Sequence, residues 1–332
     1  MSPAGSFDAL MAAIQGGAGS VYFGAGQLNM RARSSSNFSP DDIRRITEIC
    51  REHGVKSYLT LNTIIYDEEL PLMREMVDLA KDSGVSAIIA SDLSVLEYAR
   101  SRGVEIHIST QCNITNIEAV KFYAKYADVM VLARELNIGQ MESITRAIRE
   151  ERIAGPKGEL VQIEVFVHGA LCMAVSGKCY ISLDNFNSSA NRGACMQPCR
   201  RAYHVKDVDN QIELEVDNKY IMSPKDLMTL PILDRLLDAG VTVLKIEGRG
   251  RSAEYVKTVT RTYHEAVEAW KNRQYTLENV EKWTAEVNKV YNRGFWSGYY
   301  LGEKTGEWSE RYGSQATQKK VYIGKVVNFF AK

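Results

Sequence analysis

Short apolar, β-branched runs recur through the first 270 residues, at Ser20–Gly24, Lys56–Leu61, Ser86–Ala90, Glu105–Ser109, Asp128–Leu132, Val161–Val167 and Thr242–Ile246. Continuous runs of this kind fit strands buried on both faces, as in parallel sheets. Helical patterns lie between most of them. Ile43, Ile46, Ile49 and Cys50 fall on one face at 3.6-residue spacing, behind Ser39-Pro40-Asp41-Asp42, which supplies an N-cap and a first-turn proline. That helix stops at Gly54, and Glu69–Ser83, Leu93–Arg102 and Leu227–Ala239 repeat the design, closed by Gly84, Gly103 and Gly240. A strand follows each closing glycine.

The order helix, glycine, strand, loop, helix predicts a parallel sheet with right-handed crossovers. Counting Met1–Ala4 as the tail of a first strand gives eight β/α units over about 260 residues. The expected fold is therefore α/β, a (β/α)8 TIM-like barrel over residues 1–270; no Gly-x-Gly-x-x-Gly turn marks an open dinucleotide-binding sheet. Two segments break the rhythm. Residues 171 to about 220 carry four cysteines and a hairpin-like stretch (Tyr203–Val208, Asp209-Asn210, Gln211–Val216), an insertion after the seventh strand on the face where barrels keep their active sites. Residues 271–332 are aromatic-rich (Trp283, Tyr291, Phe295, Trp296) and end in Val321–Phe330, which alternates like the first strand of a further, incomplete β domain.

Composition narrows the class. With 332 residues, 45% of them apolar, the chain is a folded protein; its longest apolar runs fall far short of the ~20 residues that cross a bilayer. No secretory signal opens it, so the expected compartment is the cytoplasm. Forty-one basic residues balance forty-one acidic ones, which excludes a globally basic nucleic-acid binder but not a local basic patch.

Four of the six cysteines fall within 28 residues as Cys172-x6-Cys179-x15-Cys195-x3-Cys199. In a reducing compartment such a group points to a metal before it points to disulfides. Gly169, Gly177 and Gly193 let the backbone turn around a small inorganic object, and Arg192, Lys178, Arg200 and Arg201 favour thiolates. Zinc suits the close Cys195/Cys199 pair; an iron–sulfur cluster tolerates the longer spacing; free redox thiols are the third reading. Cys50 reads as a buried small hydrophobe, whereas Cys112 follows a strand end at the barrel mouth.

These residues resemble the collagenase-like peptidase family U32. The likeness runs through Pro3-Ala4-Gly5-Ser6, Val21-Tyr22-Phe23-Gly24 and Leu59-Thr60-Leu61-Asn62-Thr63 to Glu164–Cys172 and Ser176-Gly177-Lys178-Cys179-Tyr180. It continues at Arg192–Arg200 and ends at Leu244-Lys245-Ile246-Glu247-Gly248-Arg249. The resemblance implies a 4Fe–4S cluster on Cys172, Cys179, Cys195 and Cys199. It also implies oxygen-independent hydroxylation with prephenate as hydroxyl donor, acting on tRNA wobble uridine, a ribosomal RNA cytidine or a quinone-precursor ring. Its older label implies a peptidase.

Residue types test the two labels. The histidines (His53, His107, His168, His204, His264) never stand four apart around a glutamate, and no Gly-x-Ser-x-Gly elbow occurs. A cysteine protease remains conceivable, with His107 and His168 following strands near Cys112 and Cys172. For hydroxylation, a dianionic donor needs cations at the barrel mouth, and Arg31, Arg134, Arg200, Arg201, Lys245 and Arg249 qualify. Glu247 is a candidate acid/base or ion-pair partner, His168 a candidate proton donor, and Asn62 and Gln111, at strand ends, candidate substrate contacts. RNA contacts are expected from Arg192, Arg200, Arg201 and Lys206 of the insertion and from Arg311, Lys319, Lys320 and Lys325 beside Tyr312 and Tyr322. A structural metal site on a partner-binding barrel is the non-enzymatic alternative; the sequence is silent on oligomeric state.

Overall fold

The structure is a computed structural model and describes residues 1–33, 37–204, 219–303, 306–321 and 324. Strands β1 (Ser2–Ala4), β2 (Ser20–Phe23), β3 (Lys56–Leu61), β4 (Ala87–Ala90), β5 (Ile106–Ile108), β6 (Val129–Val131) and β7 (Gln162–Gly169) pair in sequence order, all parallel. Between β7 and β9 lies β8 (Asp226–Met228), antiparallel to the end of β7, while β9 (Val243–Ile246) takes the eighth parallel place beside β7. The ladder is not continuous from β9 to β1, but Met1 N donates to Leu244 O at 2.7 Å and Ile246 N to Met1 O at 3.1 Å. Those bonds bring the sheet's ends together as a barrel.

Helices α1 (Phe7–Gln15), α2 (Asp42–Glu52), α3 (Leu70–Asp82), α4 (Leu93–Ser101), α5 (Ile117–Tyr123) and α6 (Ile138–Glu150) fill the first six crossovers. Their starts follow cap chemistry: Ser6, Asp92, Asn116 and Asn137 each accept a main-chain N–H of the first turn. At α2 the expected roles are reversed, since Asp42 accepts from Ser39 N and Oγ and the helix opens behind Asp41. Gly54, Gly84, Gly103 and Gly240 all take the left-handed conformation expected of closing glycines.

Beyond β7 the insertion carries α7 (Ile181–Phe186), and the chain then runs through β8, α8 (Leu233–Asp238), β9, α9 (Ala253–Lys271) and α10 (Leu277–Asn288). The helix expected over Leu227–Ala239 is thus corrected: its first residues pair as β8, Leu230–Ile232 form a 3-10 turn around Pro231, and only Leu233–Asp238 are α-helical. Proline sets this break, because its ring obstructs the turn before it. A short β10 (Phe295–Trp296) runs parallel to β8, so the aromatic-rich region is built onto the barrel; Tyr300 Oη donates to Phe166 O at 2.6 Å, and Trp283 and Trp296 are buried. Most of the hairpin expected at 203–216 and of the strand expected at 321–330 lies outside the described residues, as do Lys206, Tyr322 and Lys325. Among the described residues no helix is long and apolar enough to cross a membrane.

Candidate functional site

The barrel interior becomes polar toward the carboxyl ends of the strands. Lys245 of β9 donates to Glu164 of β7 at 2.7 Å, both deeply buried, with the ammonium 4.9 Å from the Tyr22 ring and 5.4 Å from the Phe166 ring. Arg249 donates from Nη1 to Thr60 Oγ1 at 2.8 Å and Asn29 Oδ1 at 3.0 Å; burial, with Arg31 nearby, lowers its guanidinium to about 10. Arg31 pairs with Glu247 at 2.8 Å. Burial pushes the Glu247 carboxyl up, but Arg31, Arg251 and Arg134 together outweigh it and hold the group at about 2. It is an anion at neutral pH. Arg134 lies 3.9 Å over Phe166 and donates from Nη1 to Ala170 O at 3.0 Å, leaving its buried Nε without a partner among the described residues.

Over this floor sits the cysteine insertion, fastened to three barrel loops. Gly193 touches the loop after β2, where a Cβ would stand 2.3 Å from Asn29 O on a left-handed backbone, so only glycine fits. Arg192 reaches the loop after β3, donating to Ile64 O at 2.6 Å, pairing with Glu69 and lying 4.1 Å over Tyr66. Gly177 packs on Gln111 after β5. Arg200 joins the two ends of the insertion: it donates to Leu171 O, just before Cys172, and to Ser223 Oγ and Pro224 O, just before β8.

Between floor and insertion lies a cavity of about 270 Å³ whose wall includes all four of Cys172, Cys179, Cys195 and Cys199. None is in a disulfide. Burial pushes the Cys195 and Cys199 thiols up, and the neighbouring cysteine sulfurs add to that, so each feels the others. Among the described residues no three Cys, His, Asp or Glu side chains are spaced to hold a metal ion. Seven cations (Arg31, Arg134, Arg200, Lys245, Arg249, Arg251 and Arg293) face the cavity against one carboxylate, Glu247.

The structure thus gathers most of the residues singled out from sequence. Asn62 accepts from Met30 N and donates to Ser109 Oγ and Gln111 Oε1, each at 3.2 Å, and both amides line the cavity. Three expectations change. His168 is off the wall, enclosed by Tyr255, Tyr263 and Phe295, and burial with Arg251 lowers it to about 3; its main-chain O accepts from Glu247 N, so it positions the glutamate's backbone rather than meeting a ligand. Arg201 is exposed, over Phe186 at 4.7 Å, and not part of the wall. Arg192 and Arg200, expected to meet RNA, make internal contacts instead, to Glu69 and to Leu171 O and Pro224 O. Sequence reading missed Tyr22, Arg251 and Arg293. Arg293, from the turn before β10, pairs with Asp226 at 3.1 Å, and Arg251 stacks 3.6 Å over Tyr291. The one signal for Arg251 is its place two residues beyond Arg249 in the same glycine-rich turn.

This is the architecture of an α/β barrel with a cationic, thiol-lined pocket under a cysteine-rich insertion. The chain belongs to peptidase family U32, whose profile matches residues 5–310. It is 57% identical over its whole length to a protein of Porphyromonas gingivalis named collagenase, covering 80% of that protein. It is 30% identical to a tRNA hydroxylation protein of Bacillus subtilis, over 99% of this chain and 77% of the relative. It is 35% identical to a 23S rRNA 5-hydroxycytidine synthase of Escherichia coli, over 92% of this chain and 46% of that longer protein.

Proposed function

We propose that this protein is an oxygen-independent RNA hydroxylation protein that forms 5-hydroxyuridine in tRNA or 5-hydroxycytidine in ribosomal RNA, with prephenate as hydroxyl donor. The observation that carries the reading is one cavity walled by four free thiols and by seven cations, of which Arg31, Lys245 and Arg293 are paired with Glu247, Glu164 and Asp226. The donor set fits a 4Fe–4S cluster. In such a cube each iron takes one thiolate, and the four cysteines that would supply them all line the one cavity. Cys172, Cys179, Cys195 and Cys199 would hold it, and when bound it supplies electron-transfer and Lewis-acid chemistry beside the substrate.

The chain's own residues bind and orient. Arg134 offers an unpartnered Nε, and Lys245, Arg249 and Arg31 complete a cationic floor suited to a dianion. Glu247, held ionised, orients Arg31 and carries no proton at neutral pH. The names of the relatives at 30% and 35% identity support RNA as substrate. The test is anaerobic purification with iron and acid-labile sulfide analysis, then nucleoside mass spectrometry of RNA from a deletion strain. Iron with sulfide and loss of one 5-hydroxypyrimidine are expected; zinc without iron, or unchanged nucleosides in both RNAs, refutes the proposal.

The peptidase reading draws on the collagenase name of the 57% identical relative. Against it, the His107 ring packs in the barrel interior, 4.5 Å from the Tyr58 ring and beside Glu105, and His168 sits in its aromatic enclosure. Gelatin cleavage by the metal-replete protein, abolished by Cys112→Ala but not by Cys179→Ala, would reverse the ranking.

A further inference from the structure

A second hollow, of about 520 Å³, opens outward from the thiol-lined cavity, between the insertion and the loops after β3, β4 and β5. The two share Met30, Asn62, Gln111, Gly177 and Cys179 as a common threshold. Its rim is apolar and bare: Tyr180 is 71% exposed, Leu93 61% and Ile64 43%. Large side chains left uncovered beside a reactive cavity mark a binding surface. Resting on the RNA reading above, we propose that this outer hollow receives one unpaired base of the substrate, stacked on Tyr180, with its reacting edge at the Gln111–Cys179 threshold.

Four observations carry it. The volume is that of a small-ligand site, whereas the inner cavity, about half as large, is lined for an anion; the two chambers separate donor from base. The hydrogen-bonding edges match a pyrimidine. Gln111 Oε1 is engaged by Asn62 Nδ2 and Ser109 Oγ, and Asn191 Oδ1 accepts from Ser189 Oγ at 2.5 Å, so each amide's oxygen is engaged and its NH2 group is the donor left to meet a ring carbonyl. The charge fits a nucleotide: exposed Lys178 stands on the wall, and the wall's one carboxylate, Asp92, is consumed by Ile65 N at 3.0 Å, Ser94 N at 2.9 Å and Ser94 Oγ at 2.6 Å. The platform has a fixed base, because Tyr180 stands at the N-cap position of α7 in an insertion tied to the barrel by Arg192 and Gly193. Aromatic platforms of this kind are how unpaired bases are held.

The experiment is fluorescence anisotropy of the intact, iron-loaded protein with short single-stranded RNA oligonucleotides, with iron content as a parallel readout. Tyr180→Ala is expected to weaken binding about 5- to 150-fold, the range for losing one stacked base, with iron content and melting temperature unchanged. Tyr180→Phe and Tyr180→Trp should retain binding. Equal affinity for the parent, Tyr180→Ala and Leu93→Ala overturns the base site while leaving the RNA reading intact. No RNA binding by the parent overturns both. Displacement of RNA by a gelatin peptide, together with loss of peptide binding in Tyr180→Ala, assigns the hollow to a polypeptide and overturns the proposal.

Discussion

Removing the ammonium of Lys245 while keeping its length, as Lys245→Met, leaves the Glu164 carboxylate charged in the barrel interior. The pair is 2.7 Å apart, with side chains 6% and 1% exposed, and Glu164 Oε2 has no partner among the described residues. At that separation the gross attraction is roughly 6 kcal/mol with an effective dielectric constant of 20, and desolvation of both ions offsets part of it. Cutting a buried pair on one side costs about 3–5 kcal/mol, because the remaining charge is stranded. At roughly 2 °C per kcal/mol for a chain of this size or somewhat smaller, Lys245→Met should melt at least ~6 °C below the parent. Lys245→Met/Glu164→Gln removes both charges and should recover much of the loss, a coupling of about 2–3 kcal/mol in a double-mutant cycle. A single variant melting within ~2 °C of the parent, or two additive variants, would show that the pair is not the polar keystone of the barrel floor.

Glu247 gives a pH signature. Its folded value of about 2 lies below that of an unfolded glutamate, so its stabilisation is present above pH ~4.3 and is lost as pH falls toward 2, on the order of 3 kcal/mol in all. Denaturant titrations at pH 3 and pH 6 should show this acid loss in the parent and a shallower one in Glu247→Gln. Gly193→Ala should loosen the insertion, since a Cβ there meets Asn29 O on a left-handed backbone; limited proteolysis within residues 170–200 should quicken, with a cost of about 1–3 kcal/mol. Arg200→Met and Arg201→Met separate neighbours: the first removes bonds to Leu171 O, Ser223 Oγ and Pro224 O and should lower the melting temperature, whereas the second should stay within about 0.5 kcal/mol of the parent.

The barrel was readable because its signals are local. Gly54, Gly84, Gly103 and Gly240 each end a helix where the sequence places them, and the runs at Lys56–Leu61 and Val161–Val167 need no distant partner to be recognised. What escaped depends on pairing across the chain. The β8 strand forms because Phe295 and Trp296 lie beside Asp226 and Leu227, nearly 70 residues away, and its residues otherwise fit a helical period. Pro231 inside that period was the available warning. At the site, residue type indicated the four cysteines, Arg134, Lys245 and Arg249, but not direction: Arg200 and Arg201 are adjacent, yet one ties the insertion down and the other points to solvent. His168 illustrates the same limit, since a strand-end histidine can face either the mouth or the packing behind it.

The seam between β8 and β10 also sets a clock. Arg293, held by Asp226, lines the cavity beside the thiols, so a chain emerging from the ribosome presents its cysteines before the last side of their enclosure exists. The cluster proposed above would therefore gain its full enclosure only once residues near Trp296 have joined the sheet, and until then the thiols would be open to oxidants. On the proposed reading, oxygen-poor growth is expected to raise the iron content of the purified protein.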